Sequence, residues 1–341
     1  MNSYDKKINV LFLYWLIFCL ALVFLIIIIG GLTRLTNSGL SITQWELFKG
    51  VLPPLTQADW DEYFYLYKQI PQFKLLNSQM NLAEFKIIFY WEYIHRLLAR
   101  LIGLFFLIPL IYFYFSKKIN KKYIKICNII FVLILLQGFI GWFMVKSGLV
   151  NVVTVSHYRL SLHLSLAFLI ISSIFWLIKN FLNKNNVIFF NLKKKNIPFL
   201  ILIILLFIQI ICGALVSGLD AGRIYQTWPM MGYTFVPDDI NFFNIKDIFN
   251  FNNHSLVQFY HRCLAYIIAL YIILLSFFIF QKKLKELYNS TKLVFLLLLS
   301  QIVLGIFTLL SGLNIYLASA HQISSLLLVF STINLYFYRA K

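Results

Sequence analysis

Eight long apolar runs constrain this chain more than anything else in it. They lie near residues 10–31, 87–115, 125–145, 159–179, 197–218, 257–280, 292–312 and 316–338. Each is long enough to cross a hydrocarbon core roughly 30 Å thick as a helix. A membrane barrel would instead show short segments of alternating polarity, and these runs are continuously apolar. With 61% hydrophobic and 12% charged residues over 341 positions, a soluble domain could not hide the apolar surface. The expected fold class is an all-α membrane protein with eight transmembrane helices. The N-terminal "MNSYDKKINV" and the apolar run after it carry no small-residue cleavage site, so the first span is expected to be retained.

The charges set the expected orientation. Lys and Arg gather at Lys6 and Lys7, in 117–125, at Lys179 and Lys184, in 193–195 and 282–285, and at Lys292, Arg339 and Lys341. The acids concentrate in the other connections: Glu46, Asp59, Asp61, Glu62, Glu84, Asp220, Asp238, Asp239 and Asp247. By the positive-inside rule both termini are cytoplasmic, and the loops at about 32–86 and 219–256 face outward. The formal charge of +18 is thus topological, and no nucleic-acid partner is expected. Cys19, Cys127, Cys212 and Cys263 form no CxxC pair and lie in or beside apolar runs, which argues against a disulfide framework or a thiolate metal site.

The chain also repeats itself. Gly30, Leu32, Gly39, Trp45 and Pro54 match Gly213, Leu215, Gly222, Trp228 and Pro237 at an offset of 183. His95, Arg96 and Ala99 match His261, Arg262 and Ala265 at 166. Gln137, Gly141, Ser147, Gly148 and Leu149 match Gln301, Gly305, Ser311, Gly312 and Leu313 at 164, and Ser161 and His163 match Ser319 and His321 at 158. Four ordered matches predict two homologous four-helix halves, 1–190 and 191–341. Each half has an even number of spans, so the two insert with the same orientation and form pseudosymmetric bundles.

Imidazoles are costly in lipid, and four of the six histidines recur as repeat partners: His95, His163, His261 and His321. Two lie in each half, on its second and fourth span, all near the outward ends. Facing histidines in a helical bundle can hold haem iron axially; hydrogen-bonded core histidines are the plainer alternative. His157 and His254 have no repeat partner and read as solvated helix ends, although His157 stands close enough to His163 to compete as a ligand. Of seven arginines, Arg96, Arg100 and Arg262 sit in or beside the histidine-bearing spans. A guanidinium fork suits a haem propionate, and it equally suits an intrahelical carboxylate. Glu92, three residues before His95 and four before Arg96, shares their helix face. Its repeat counterpart is Gln258, of similar shape but unable to titrate. A group that only braced a ligand would be wanted in both halves, so the asymmetry points to proton or cation chemistry in the first half alone. Trp45, Trp60, Trp142 and Trp228 flank outward ends and read as interfacial belt residues.

The motifs "GGLTRLTNSGLSITQW", "WEYIHRLLARLIGL", "QGFIGWFMVKSGL", "RLSLHLSLAF", "GALVSGLDAGRIYQTWPMMG", "FYHRCLAY" and "SAHQISSLL" together resemble haem A synthase, most closely its proteobacterial and mitochondrial branch, over nearly the whole chain. The resemblance implies an inner-membrane oxidoreductase, with haem sites toward the outer side, that converts the C8 methyl of haem O to a formyl group through an alcohol and a gem-diol. It implies that His95 and His163 hold the substrate haem, that His261 and His321 hold a permanent haem b, and that Glu92 is the essential acid. It also implies an upstream haem O synthase; an electron donor is expected as well, and the sequence does not name it. The cysteine pair of the Gram-positive branch is absent from the first outer loop, and Phe143 replaces a frequent Trp. The rival reading is a dihaem b-type membrane cytochrome taking electrons from quinol, which would use the same four histidines but gives the Glu92/Gln258 difference no purpose.

Overall fold

In a bilayer core no water is present to satisfy N–H and C=O groups, so an apolar run must bond its own backbone. The computed structural model, which describes residues 3–44, 49–148 and 153–341, shows each of the eight runs as an α-helix. In chain order the helices are α1 (Ser3–Leu35), α2 (Gln57–Gln69), α3 (Pro71–Leu76), α4 (Leu82–Ser116), α5 (Lys121–Gly148), α6 (His157–Leu182), α7 (Ile197–Gly218), α8 (Ile245–Ile248), α9 (His254–Gln281), α10 (Tyr288–Leu310) and α11 (Ile315–Ala340). All but α2, α3 and α8 are long and apolar enough to cross a membrane. Extended pairing among the described residues is limited to one isolated bridge, Met231 with Thr234. The molecule is a multi-pass, all-helical membrane protein.

The chain divides into two compact units, Met1–Ile171 and Ser172–Lys341. In the first, α1 packs on α4 and α4 on α5. Pro109 lies inside α4 and has no N–H to give Phe105, four residues earlier. Trp15 of α1 donates its indole N–H to that freed carbonyl at 2.9 Å, and the Cys19 thiol stands 4.0 Å away. A proline that would leave an orphaned acceptor in lipid therefore fastens two helices together. In the second unit α7 packs on α9, and α10 on α11. Its core contains Phe199, Leu202, Ile272, Ile279 and Phe337, with Trp176 stacked on Tyr336 at 5.5 Å.

The sequence repeat extends to the backbone. α1 ends where Asn37 enters the left-handed region (φ 53°), with the Ser38 amide bonded to Thr33 O at 2.9 Å. Asp220, offset by 183, adopts φ 51° after α7. Lys117 ends α4 at φ 54°, and Lys283, offset by 166, follows α9 at φ 52°.

The 32–86 segment is not an irregular loop. α1 runs on to Leu35, α4 already begins at Leu82, and α2 and α3 lie between them. α2 opens with a capping box: the Thr56 hydroxyl accepts from the Asp59 amide, and the Asp59 carboxylate accepts from the Thr56 amide at 2.9 Å. These bonds, the Thr56 backbone first, hold the Asp59 carboxyl below its usual range. Trp60, expected at the membrane interface, instead lies buried among Leu40, Ile42, Phe64, Tyr67, Phe85 and Phe89. Its ring meets Phe89 edge-on at 5.0 Å. Leu40 and Ile42 of the chain after α1, α2 and the first turns of α4 thus share one apolar cluster, and this cap fixes Ser41 and Ile42 over Glu92. Trp228 is exposed and Trp142 half-buried, while Trp45, Glu46 and Leu149 lie outside the described residues.

Candidate functional site

The site residues begin with a spacing rule. On α1, α5, α7 and α10 one glycine faces the histidine of the next long helix. A Cβ built on Gly30 would stand 2.9 Å from His95 Cε1, on Gly141 3.1 Å from His163 Cε1, on Gly213 3.1 Å from His261 Cε1, and on Gly305 2.9 Å from His321 Cε1. A methyl group at position 30 or 305 would force the ring to shift, and one at 141 or 213 would press on it, so glycine suits all four close helix approaches. The four imidazoles are half-buried, yet Nδ1 of His95, His163 and His261 is sealed from solvent with no hydrogen-bond partner among the described residues. His321 differs: its Nδ1 lies 3.1 Å from the Gln301 carbonyl, which places the proton there and the lone pair on Nε2.

A third feature lies one turn before these glycines. Gln137 donates its amide to the His163 carbonyl at 3.1 Å and reaches His163 Nε2 at 3.2 Å. Gln209 donates to the His261 carbonyl at 3.0 Å. Gln301 reaches His321 Nε2 at 3.2 Å, and its own side-chain oxygen accepts from the Ser324 hydroxyl. The Gln-x-x-x-Gly spacing at 137/141, 209/213 and 301/305 was the available sequence signal for Gln209, which the repeat offsets alone passed over because the residue 183 earlier is Ile26.

Glu92 is buried on α4 and saturated with donors. Ser41 Oγ (2.7 Å) and the Ile42 amide (2.8 Å) reach one oxygen, and Arg96 Nε (3.0 Å) and Nη2 (2.5 Å) reach the other. Four donors on an acceptor-only group match the carboxylate form. Arg96 also donates to the Ile42 carbonyl at 2.9 Å, so it takes the intrahelical ion pair and the cap backbone together. The second unit keeps half of this arrangement. Arg262 donates to the Tyr225 carbonyl at 2.9 Å, and Tyr225 is Ile42 shifted by 183. Gln258 donates to the same carbonyl at 3.0 Å, which reverses the polarity of the Glu92 position, and its Oε1 is buried without a partner among the described residues. Ser41 has Ile224 as its counterpart, so the Ser–Glu bond loses both members at once. Ser41 was missed in the sequence reading because its partner lies 51 residues away; the Ser41/Ile224 difference beside Glu92/Gln258 was the signal.

Arg100 is half-buried on α4, beside a small recess shared with Arg96, Tyr93 and Phe89. His254 is exposed at the start of α9. His157, read as solvated, is half-buried at the start of α6, its ring 4.1 Å from that of Tyr158. Phe143 packs under the Arg159 guanidinium at 4.7 Å.

Two glycine-backed imidazoles per unit could hold the iron of a macrocycle that brings its other ligands with it. The rings are half-exposed, and an imidazole inside a membrane protein is costly unless another group engages it, which fits this reading. No group of three or more His, Cys, Asp or Glu residues suited to a bare metal ion occurs among the described residues.

The fold and site define a membrane protein with two internally repeated histidine pairs, one of them beside a buried carboxylate. The chain belongs to the COX15-CtaA family, described as cytochrome oxidase assembly protein, whose family model matches residues 13–333. It is 48% identical over 324 residues to "Heme A synthase" of Pelagibacter ubique, covering 93% of each chain. It is 44% identical to that of Nitrosospira multiformis, over 92% of this chain and 89% of the relative, and 41% identical to that of Rickettsia bellii, over 92% and 94%.

Proposed function

We propose that this protein is a haem A synthase, an oxidoreductase of the inner membrane that takes the C8 methyl of haem O to a formyl group in two successive oxidations. The observation that carries this reading is the one buried carboxylate among the described residues: Glu92 stands in one histidine-bearing half and Gln258 in the other. A pair of equal electron-carrying sites gives no reason for that difference, and the names of the relatives agree with synthesis.

In this reading the N-terminal half, 1–190, takes haem O as substrate between His95 and His163. The C-terminal half, 191–341, holds haem b between His261 and His321. Haem b, when bound, supplies one-electron redox chemistry. The protein's share is orientation and electrostatics. The four glycines set the ring positions. Glu92, held by Ser41, Ile42 and Arg96, is a fixed negative charge on the face of α4 that carries His95. Its lone pairs are already engaged by four donors, which favours stabilising positive charge developing at the methyl carbon over taking a proton from water. Arg96 and Arg262, each anchored to a main-chain carbonyl, are suited to hold propionates with their remaining N–H groups. The haem sites lie toward the outer side, an upstream haem O synthase supplies the substrate, and a separate redox partner exchanges electrons.

The test is Glu92→Gln, which copies the second half. The variant is expected to retain haem b and lose formyl production. Haem A formation at the normal rate would overturn the assignment of Glu92.

A further inference from the structure

Four histidines meet four glycines at nearly the same distance, yet only three are tied by a glutamine one turn before the glycine. His163, His261 and His321 are engaged by Gln137, Gln209 and Gln301. The fourth position is Ile26, which has no side-chain amide to donate, and among the described residues no glutamine bonds His95. Spacing does not explain the gap. Gly30 approaches His95 as closely as Gly305 approaches His321, so α1 stands near enough to α4 to carry the same contact. At His261 the amide holds the main-chain carbonyl, at His321 the ring Nε2 and at His163 both, and each bond restrains the helix sliding that would carry a histidine off its partner. Both histidines of the C-terminal half have one; in the N-terminal half only His163 does.

Resting on the assignment of the N-terminal half as the substrate side, we infer that His95 is the ligand that yields when the macrocycle enters and leaves. Gln137, Gln209 and Gln301 are positioning residues that keep the other three histidines in place. A resident cofactor needs two fixed ligands; a substrate that must depart as product needs one that lets go. The missing glutamine puts that weakness on the helix that also carries Glu92.

The test uses the full chain loaded with iron protoporphyrin IX at both sites and mixed with excess apomyoglobin as acceptor. Two transfer phases are expected. The fast phase is abolished by His163→Ala and the slow one by His321→Ala. Ile26→Gln slows the fast phase, and Gln209→Ile speeds the slow one, each by about three- to twentyfold, the range for one interhelical side-chain hydrogen bond in a membrane protein. The low-spin resonance of one iron only shifts in each variant, which a general loss of packing would not produce. Unchanged rates in both variants overturn the inference. If Ile26→Gln does not assemble, Gln209→Ile decides alone. If bound haem is indifferent to His95→Ala and His163→Ala, the substrate-site reading falls, and with it this inference, by an outcome distinct from unchanged exchange rates.

Discussion

Glu92 shows how far single residues could be read. A carboxylate, an imidazole and a guanidinium on one apolar helix are legible from sequence because each is expensive there and demands a reason. The pairing of Glu92 with Arg96 follows from four-residue spacing. The part played by Ser41 and Ile42 does not, because it depends on the chain folding back over α4 after α1. Two expectations follow at this scale. Ser41→Ala removes one of the four donors to a buried carboxylate. It should cost on the order of 1–3 kcal/mol of transition-state stabilisation, read as a fall in turnover with the haem b content unchanged, and loss of haem b instead would contradict the local role. Gly213→Ala places a methyl group against the His261 ring. It should lower haem retention in the C-terminal half while leaving the N-terminal site loaded, as measured by pyridine haemochrome on each half's histidine-deletion background.

At the scale of elements, the eight spans were legible because twenty or so consecutive apolar residues leave the backbone no alternative to a helix. α2 and α3 were not, since their mixed composition has no strong period and their burial depends on Phe85 and Phe89 of α4. The same distance effect moved Trp60 from the expected interface into a core. Pro109 offers a direct check on helix packing. Trp15→Phe should cost about 1 kcal/mol, because the Phe105 carbonyl loses its donor. That cost should shrink in the Pro109→Ala background, where the helix supplies its own N–H. Equal costs in both backgrounds, from thermal unfolding in detergent, would contradict the account. Asp59 gives a pH check. Its folded carboxyl is held below the usual range of an aspartate, so its stabilisation of α2 is fully present above the unfolded value and lost as the pH falls through the folded one. A spin label at exposed position 65 should gain mobility in that acid range, and Asp59→Asn should make the mobility independent of pH there.

At the scale of the molecule, the duplication was visible as stepped offsets, and the left-handed caps at Asn37 and Asp220, and at Lys117 and Lys283, carry it into the backbone. The two parts of the repeat are alike in their histidines, and the proposed function rests on where they differ. The first half holds the Ser41–Glu92 bond and lacks one glutamine tie, and the second half is the reverse on both counts. What sequence could not supply was the contact between a glutamine and a histidine on different helices, because a repeat match shows that two positions correspond and not what either touches. The central claim is that one half transforms a haem while the other keeps one. Extraction and chromatography of the haems from protein purified out of cells that make haem O tests it most directly. The account predicts haem b together with haem O, its hydroxylated form or haem A, the latter group lost in His163→Ala and haem b lost in His321→Ala. Haem b alone, in equal amounts at both sites, would contradict it.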